Sequence, residues 1–322
     1  MRRYNFGKMR NKHIVSIITL LSFSVQLAAQ KTEIIYREKN DSTQNYYLTL
    51  LPDSQSKGLL LIIGGFCTSP ADVMNETTLP VTASKAGFTV IIPVLYNCDS
   101  INSNAIAQKR LIELIPELIK KYNIPANKFI IGGQSMGGHQ ALFYAEQAFK
   151  LNGKNIIKPD LVFGVDPPLN MKRLWNSFMH SVQLNFSDVA VAEATEQLRR
   201  FKILYGGSPL QHPKKYEALS SYYADAKDGG NAKYLKNVPV RLYCDPDISW
   251  IIEKRRGSAE FMNMADLSGC ISQLKILGNN NAEFINCLGK GFKPDGTRHP
   301  HFFSMLDADE FVLWANKMLY KK

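Results

Sequence analysis

The chain has 322 residues and a formal net charge of +11, with 39 Lys and Arg against 28 Asp and Glu. This length is sufficient for one large domain with a single core. Five basic and no acidic residues lie within positions 1–29, so the remainder carries a charge of +6. Its basic residues form no long block and no nucleic-acid motif, which favours an ordinary solvated surface over nucleic-acid binding.

Residues 1–29 have the pattern of a secretory signal peptide. A basic start is followed by an apolar run over 14–27, and Leu27-Ala28-Ala29 is an acceptable cleavage site that leaves Gln30 as the first mature residue. The apolar run of about 14 residues is shorter than the roughly 20 needed to span a bilayer. We therefore expect a secreted or periplasmic protein with no stable membrane span after cleavage.

Apolar strands and helices then alternate along the chain. The predicted strands are residues 33–36, 46–51, 59–63, 88–93, 129–131, 160–165, 238–243 and 282–288. The predicted helices are residues 75–85, 106–120, 140–149 and a terminal helix capped by Asp307. Alternation of this kind predicts an α/β fold, with a mostly parallel central sheet covered by helices on both faces.

The alternation is interrupted between residues 169 and 237. This segment is long, mixed in composition and partly amphipathic, and it contains no clear buried strand. We expect it to form a mainly helical cap, inserted into a single domain that spans residues 30–322. Open α/β sheets bind ligands at the carboxyl ends of their strands, so we expect the cap to lie there.

The most informative motif is Gly133-Gln134-Ser135-Met136-Gly137, placed between a predicted strand and a predicted helix. This context is typical of a nucleophile elbow, a strained turn that directs a serine hydroxyl away from the backbone. Larger side chains two residues before and after the serine would collide in such a turn, which explains the glycines. Ser135 is therefore the candidate nucleophile.

With this motif the chain resembles the α/β-hydrolase superfamily. The resemblance also includes the Gly64-Gly65-Phe66 turn after an early strand and late acidic and histidine residues, and it covers the mature chain in element order. It implies a Ser-His-Asp triad in the chain order Ser, Asp, His. It also implies an oxyanion hole formed by the backbone N–H groups of Phe66 and Met136.

Five histidines follow the signal segment, and His301 is the predicted general base. It lies in a loop just before the terminal helix, whereas His299 is restricted by the following Pro300. His139 lies one turn into the helix behind the serine, and the elbow directs the serine away from it. His180 and His212 lie in the predicted cap without any motif around them.

Three aspartates compete for the acid of the triad. Asp247 is favoured, because it lies a few residues beyond a late strand on a loop that can return to the histidine. Asp245 is closer to the end of the same strand. Asp166 follows the preceding strand, where some members of the superfamily place the acid, although an aspartate before Pro167-Pro168 is also common turn chemistry.

The resemblance implies a serine hydrolase that cleaves carboxylic esters through an acyl-enzyme, on a small-molecule, glycan or lipid ester. No cofactor is expected, and no cysteine spacing matches a metal site. A peptidase on the same scaffold is the nearest alternative, and a non-catalytic binding protein of the same fold is a second. Loss of ester hydrolysis on replacement of Ser135 would separate an enzyme from a binding protein.

The five cysteines leave their pairing open. Cys67 and Cys98 each follow a predicted strand, so both would lie at one sheet edge and have the opportunity to pair. An exported protein permits a disulfide there. Buried free cysteines that behave as small apolar residues are the alternative.

Overall fold

A computed structural model describes residues 31–320, and the signal-peptide prediction lies outside this range. Within it, eight strands form one sheet in the order β1-β2-β4-β3-β5-β6-β7-β8. The strands are β1 Thr32–Tyr36, β2 Tyr46–Leu50, β3 Gly58–Ile63, β4 Phe88–Val94, β5 Phe129–Gln134, β6 Leu161–Val165, β7 Val240–Cys244 and β8 Ala282–Asn286. β1 pairs with β2 and β2 pairs with β4 in antiparallel orientation, and the six strands β3 to β8 are parallel to one another. The predicted α/β fold class is confirmed.

Ten α-helices connect and cover the strands of the described chain. They are α1 Pro70–Glu76, α2 Leu79–Lys85, α3 Ser103–Lys121, α4 Met136–Lys150, α5 Met171–Leu184, α6 Asp188–Tyr205, α7 Pro213–Leu219, α8 Ile248–Arg255, α9 Asn263–Ile276 and α10 Ala308–Leu319. The single helix predicted over 75–85 is thus two helices. Pro80 lies at the start of the second, because a proline without an N–H group cannot continue a helix from the preceding turn.

The core consists of two apolar layers, one on each face of the sheet. Successive strand residues point to opposite faces, so Leu59 and Leu61 belong to one layer and Leu60 and Ile62 to the other. Helices α3, α4 and α9 cover the first face, and α1, α2 and α10 cover the second. The parallel strands are therefore buried on both sides, as their continuous apolar sequences require.

The segment 169–237 has an apolar cluster of its own. Helices α5, α6 and α7 pack around Trp175, Phe201 and Tyr216, which are all buried. A 3₁₀ helix over Gly230–Leu235 then leads into β7 and packs against α4 and α9. The segment is thus a small helical layer with separate packing, joined to the main core at both ends through Leu169, Ala232 and Leu235.

No helix among the described residues is long and apolar enough to cross a membrane.

Candidate active site

Ser135 lies between β5 and α4 with φ 53° and ψ −127°. This backbone conformation is strained for a residue with a Cβ, and it is the conformation of a nucleophile elbow. The flanking glycines permit it. A Cβ on Gly137 would overlap the carbonyl oxygens of Ile63 and Gly64, and one on Gly133 would overlap that of Ile63. The glycine spacing is therefore required by the close packing of β5 and α4 against the end of β3.

His301 is hydrogen-bonded to Ser135. Its Nε2 lies 2.9 Å from the Ser135 Oγ, and its Nδ1 lies 2.5 Å from Oδ2 of Asp166. A carboxylate only accepts hydrogen bonds, so Nδ1 carries the proton and Nε2 is free to accept from the serine hydroxyl. Ser135, His301 and Asp166 therefore form one continuous hydrogen-bonded chain.

The prediction that Asp247 is the acidic partner of His301 is wrong. Asp247 caps α8 by accepting from the Trp250 N–H at 2.9 Å, and its other oxygen accepts from Arg298 at 2.9 Å. Asp166 follows β6, which is paired directly with the strand that carries Ser135, whereas Asp247 follows β7, one strand further away. Since neighbouring strands are about 4.8 Å apart, the shorter reach favours Asp166.

Asp245, the other acid considered, holds the loop that carries His301. Its side chain is fully buried and accepts from the N–H groups of Gly289 and Gly291 at 3.1 and 2.7 Å. Arg298 donates to it at 2.7 Å and also to Asp247. The two aspartates after β7 thus anchor the chain between β8 and His301 instead of contacting the imidazole.

Gln134, the residue before the serine, supports His301 from the opposite side. Its side-chain Nε2 donates to the carbonyl oxygen of His301 at 2.7 Å, and the Gln134 side chain is buried beside Gly65. The adjacent residues Gln134 and Ser135 therefore provide a contact that fixes the backbone of the candidate base and the candidate nucleophile, respectively. The sequence contains no separate signal for this second role.

The electrostatics of the two neighbouring histidines differ. Burial lowers the pKa of His301, but the hydrogen bond and negative charge of Asp166 outweigh it, so the net pKa is raised above the ordinary value. His299 lacks a carboxylate partner in the described chain, and burial lowers its pKa to about 4. Its ring packs edge-on against Trp250 and Phe302. His299 therefore packs against aromatic side chains, whereas His301 is hydrogen-bonded to the serine.

The other histidines lie away from this chain of hydrogen bonds. His139 is buried on α4, where it lines the same cavity as Ser135 and its Nδ1 lies 3.3 Å from Ser221 Oγ. His180 stacks on Phe261 with ring centroids 4.3 Å apart. His212 lies at the amino end of α7.

Ser135 and His301 open onto a cavity of about 550 Å³. Phe66 and Met136, the residues of the predicted oxyanion hole, line the same cavity. Met136 is the first residue of α4, so its N–H has no partner within the helix. Both residues of the predicted oxyanion hole thus lie on the cavity that Ser135 opens onto.

The cavity is mainly apolar, and helices α5 and α6 provide much of its wall. Leu174 and Phe178 of α5 and Phe201 and Leu204 of α6 line it. Segment 169–237 therefore lies over the carboxyl ends of the strands, on the same side as Ser135. A ligand in this cavity would contact apolar side chains over most of its surface.

Cys67 and Cys98 are joined by a disulfide with Cα atoms 5.3 Å apart. The bond links the loops after β3 and β4, directly beside Phe66. Arg200 of α6 donates to the carbonyl oxygen of Cys98 at 2.9 Å and lies over the Phe66 ring. The Gly64-Gly65-Phe66 turn is thus held to its neighbouring loop and to α6. Cys244, Cys270 and Cys287 are buried free thiols.

No group of three or more His, Cys, Asp and Glu side chains within residues 31–320 is arranged to hold a metal ion.

No protein-family model matches this sequence, and no curated protein matches it. Several solved structures are similar to it. Carboxyl esterase 2 of the mycorrhizal fungus Tuber melanosporum is 12% identical over 92% of this chain and 88% of its own, with a TM-score of 0.56. A fungal esterase of Rhizomucor miehei is 14% identical over 90% of this chain and 82% of its own, with a TM-score of 0.57.

The acylaminoacyl peptidase of Pyrococcus horikoshii has a TM-score of 0.58 at 14% identity. It is matched over 91% of this chain but only 42% of the peptidase, so this chain spans less than half of that protein. These similarities show that the protein has the α/β-hydrolase fold.

Proposed function

We propose that this protein is a serine hydrolase that cleaves carboxylic esters through a Ser135-His301-Asp166 triad. The observation that carries the proposal is the hydrogen-bonded chain from Asp166 through His301 to the Ser135 hydroxyl, at 2.5 and 2.9 Å. Its place at the floor of an apolar cavity supports the same conclusion. The esterase names of two structural neighbours agree with it.

The reaction would proceed in two acyl transfers. His301 Nε2 accepts the Ser135 hydroxyl proton while Oγ attacks the ester carbonyl, and the N–H groups of Phe66 and Met136 stabilise the oxyanion. When the tetrahedral intermediate collapses, His301 returns the proton to the departing alcohol. Water then attacks the acyl-enzyme with His301 as base, and the acid is released with Ser135 regenerated. Asp166 holds the imidazole in the required tautomer and stabilises its charged form.

The apolar lining of the cavity indicates the class of ester that it would bind. A volume of about 550 Å³ holds a small-molecule ester, and burial of each methylene contributes about 0.8 kcal/mol of binding energy. We therefore propose that the preferred esters carry an apolar acyl or alcohol group that lies beneath α5 and α6. This assigns segment 169–237 the role of a cap that determines substrate preference.

The proposal is tested by covalent labelling and hydrolysis together. A fluorophosphonate probe should add once to the wild-type protein, as measured by intact mass, and p-nitrophenyl esters should be hydrolysed. Both should be lost in Ser135→Ala. Ser268→Ala, on the exposed face of α9, serves as the matched control and should behave as wild type. A folded wild-type protein that is neither labelled nor active would favour a non-catalytic binding protein.

The same assay distinguishes the peptidase alternative. An N-acyl dipeptide and a lipid or sugar ester are added to the panel at equal concentration. Esters should have the higher kcat/KM, since they need less assistance to the leaving group than amides. A higher kcat/KM for the peptide would replace the esterase proposal with a peptidase.

We also propose that the protein is exported by its first 29 residues. The disulfide between Cys67 and Cys98 supports this proposal, because such bonds persist in oxidising compartments. Expression of the full chain in a bacterial host, followed by fractionation and amino-terminal sequencing, tests it. The exported form should begin at Gln30, and retention of the intact chain inside the cell would contradict the proposal.

A further inference from the structure

Arg173 of the cap helix α5 is linked to the acid of the proposed triad through one asparagine. Its Nη2 donates to Oδ1 of Asn263 at 2.7 Å. The amide nitrogen of Asn263 in turn donates to the carbonyl oxygen of Asp166 at 2.8 Å and lies 3.4 Å from its Oδ2. The three residues belong to α5, α9 and the loop after β6, which come together only in the fold.

The chemistry of the partners determines how the Asn263 amide is oriented. Arginine has only donors, so the amide oxygen must face Arg173. The amide nitrogen must then face Asp166, whose carbonyl and carboxylate oxygens only accept. In the reversed orientation the amide nitrogen would face the Arg173 donor and the amide oxygen would face the Asp166 acceptors. Only the observed orientation therefore forms both hydrogen bonds.

Arg173 is itself held by a nearly buried ion pair. Its Nε and Nη2 donate to the two carboxylate oxygens of Asp266 at 2.9 and 2.6 Å. The Arg173 and Asp266 side chains are 11% and 3% exposed. Asp266 also accepts from the N–H groups of Leu169 and Asn170, which follow Asp166 in the chain. The turn after β6 is therefore fixed at both ends by the same network.

Asp166 needs such support because its backbone is strained. Its φ of 45° lies in the left-handed region that residues with a Cβ rarely adopt. This conformation directs the carboxylate toward His301, and the Asn263 contact to the carbonyl oxygen stabilises it. We infer that Arg173 and Asn263 are positioning residues, which fix the Asp166 carboxylate for the proposed reaction and make the cap part of the catalytic arrangement.

The inference rests on the proposed function, and its first test is Asn263→Asp. This change preserves the shape of the side chain but replaces the donor to Asp166 by an acceptor. An acidic residue in the first turn of α9 is compatible with the helix, so folding should be retained. Small displacements of catalytic groups cost up to about 100-fold in rate, so kcat should fall by about 10- to 100-fold. Asn263 also lines the cavity, so kcat at saturating substrate is the measure of this effect.

Two further variants keep this test decisive. Asn263→Ala, which removes the donor without adding charge, should also lower kcat, but less than Asn263→Asp at pH 8. Asn155→Asp makes the same chemical change on an exposed loop and should leave kcat unaltered. In proton NMR, the downfield His301 Nδ1–H resonance should shift in both Asn263 variants and stay in place in Asn155→Asp.

The outcomes separate the two proposals. If the wild-type protein is active but Asn263→Asp retains its kcat and its downfield resonance, the positioning inference is wrong and the proposed function stands. If the wild-type protein shows neither hydrolysis nor labelling at Ser135, the proposed function fails first. The NMR signal still reports whether Asn263 orients the Asp166-His301 pair.

Discussion

The carboxylate of Asp166 contacts His301 from the end of β6, while Asp247 binds Arg298 from the end of β7. This difference gives the first prediction. Asp166→Asn should lower kcat by about 10⁴-fold, because an amide in this position leaves the imidazole in the wrong tautomer. Ester hydrolysis by purified protein measures the effect.

Asp247→Asn is the matched comparison. The variant keeps a side-chain oxygen to cap α8, so it should fold and lose much less activity than Asp166→Asn. If Asp247→Asn were the more damaging of the two in folded protein, the acid of the triad would have to be reassigned.

His301 and His299 should be separable by the same assay. His301→Ala removes the only imidazole that contacts Ser135 within the described chain and should lower kcat by several orders of magnitude, because triad members act as a unit. His299→Ala removes a ring that packs on Trp250 and Phe302, so its main effect should be on stability. Equal losses of kcat in two stably folded variants would contradict the assignment.

The raised pKa of His301 predicts the pH dependence of the reaction. A general base must be neutral, so kcat/KM should rise with pH, and the midpoint of this rise should lie above the ordinary histidine pKa of about 6.5. Asp166→Asn removes the cause of the upward shift, so the residual activity should have a lower midpoint. A wild-type midpoint clearly below that ordinary value would show that Asp166 does not control the imidazole.

The apolar wall of the cavity predicts a chain-length preference. Leu174→Trp adds volume to the α5 wall of the cavity, so it should lower kcat/KM for long-chain p-nitrophenyl esters by about tenfold or more. The acetate ester, which does not reach the wall, should change little. Leu313→Trp on the exposed face of α10 controls for the substitution itself. An equal loss for acetate and long-chain esters would mean that the wall does not contact the substrate.

The parts of the site that local sterics determine could be predicted from the sequence. The glycines around Ser135 are required by close backbone contacts, so their spacing between a predicted strand and a predicted helix identifies the elbow. The choice among Asp166, Asp245 and Asp247 depends on which strand pairs with β5, and sequence spacing contains no such information. A strand order is a property of long-range packing.

The supporting residues were missed for a related reason. Asn263 and Gln134 are single polar side chains with no motif, and their roles arise from contacts with residues 97 and 167 positions away. Helix α8 was also not predicted, because it buries no residue in the core and therefore has no apolar periodicity. Features that depend on one distant contact leave no pattern in the chain.

Glu146 gives a prediction about stability. It lies on α4 with no exposure, and burial acts on its carboxyl more strongly than the neighbouring Ser221 hydroxyl does. Burial raises the pKa of this carboxyl well above the ordinary value, so the folded protein binds its proton over a pH range in which the unfolded chain has lost it. A raised folded-state pKa contributes stability below the unfolded value of about 4.3 and loses it as pH rises, by about 1.4 kcal/mol per pH unit.

Glu146→Gln has nearly the same shape but does not ionise, so it should remove this loss. The free energy of unfolding in urea should match wild type near pH 4, and the advantage of the variant should grow as the pH rises above the unfolded-state pKa of about 4.3. Glu113→Gln, on the exposed face of α3, is the matched control and should show no such growth. If the difference between Glu146→Gln and wild type stayed constant with pH, Glu146 would have to be ionised in the folded protein.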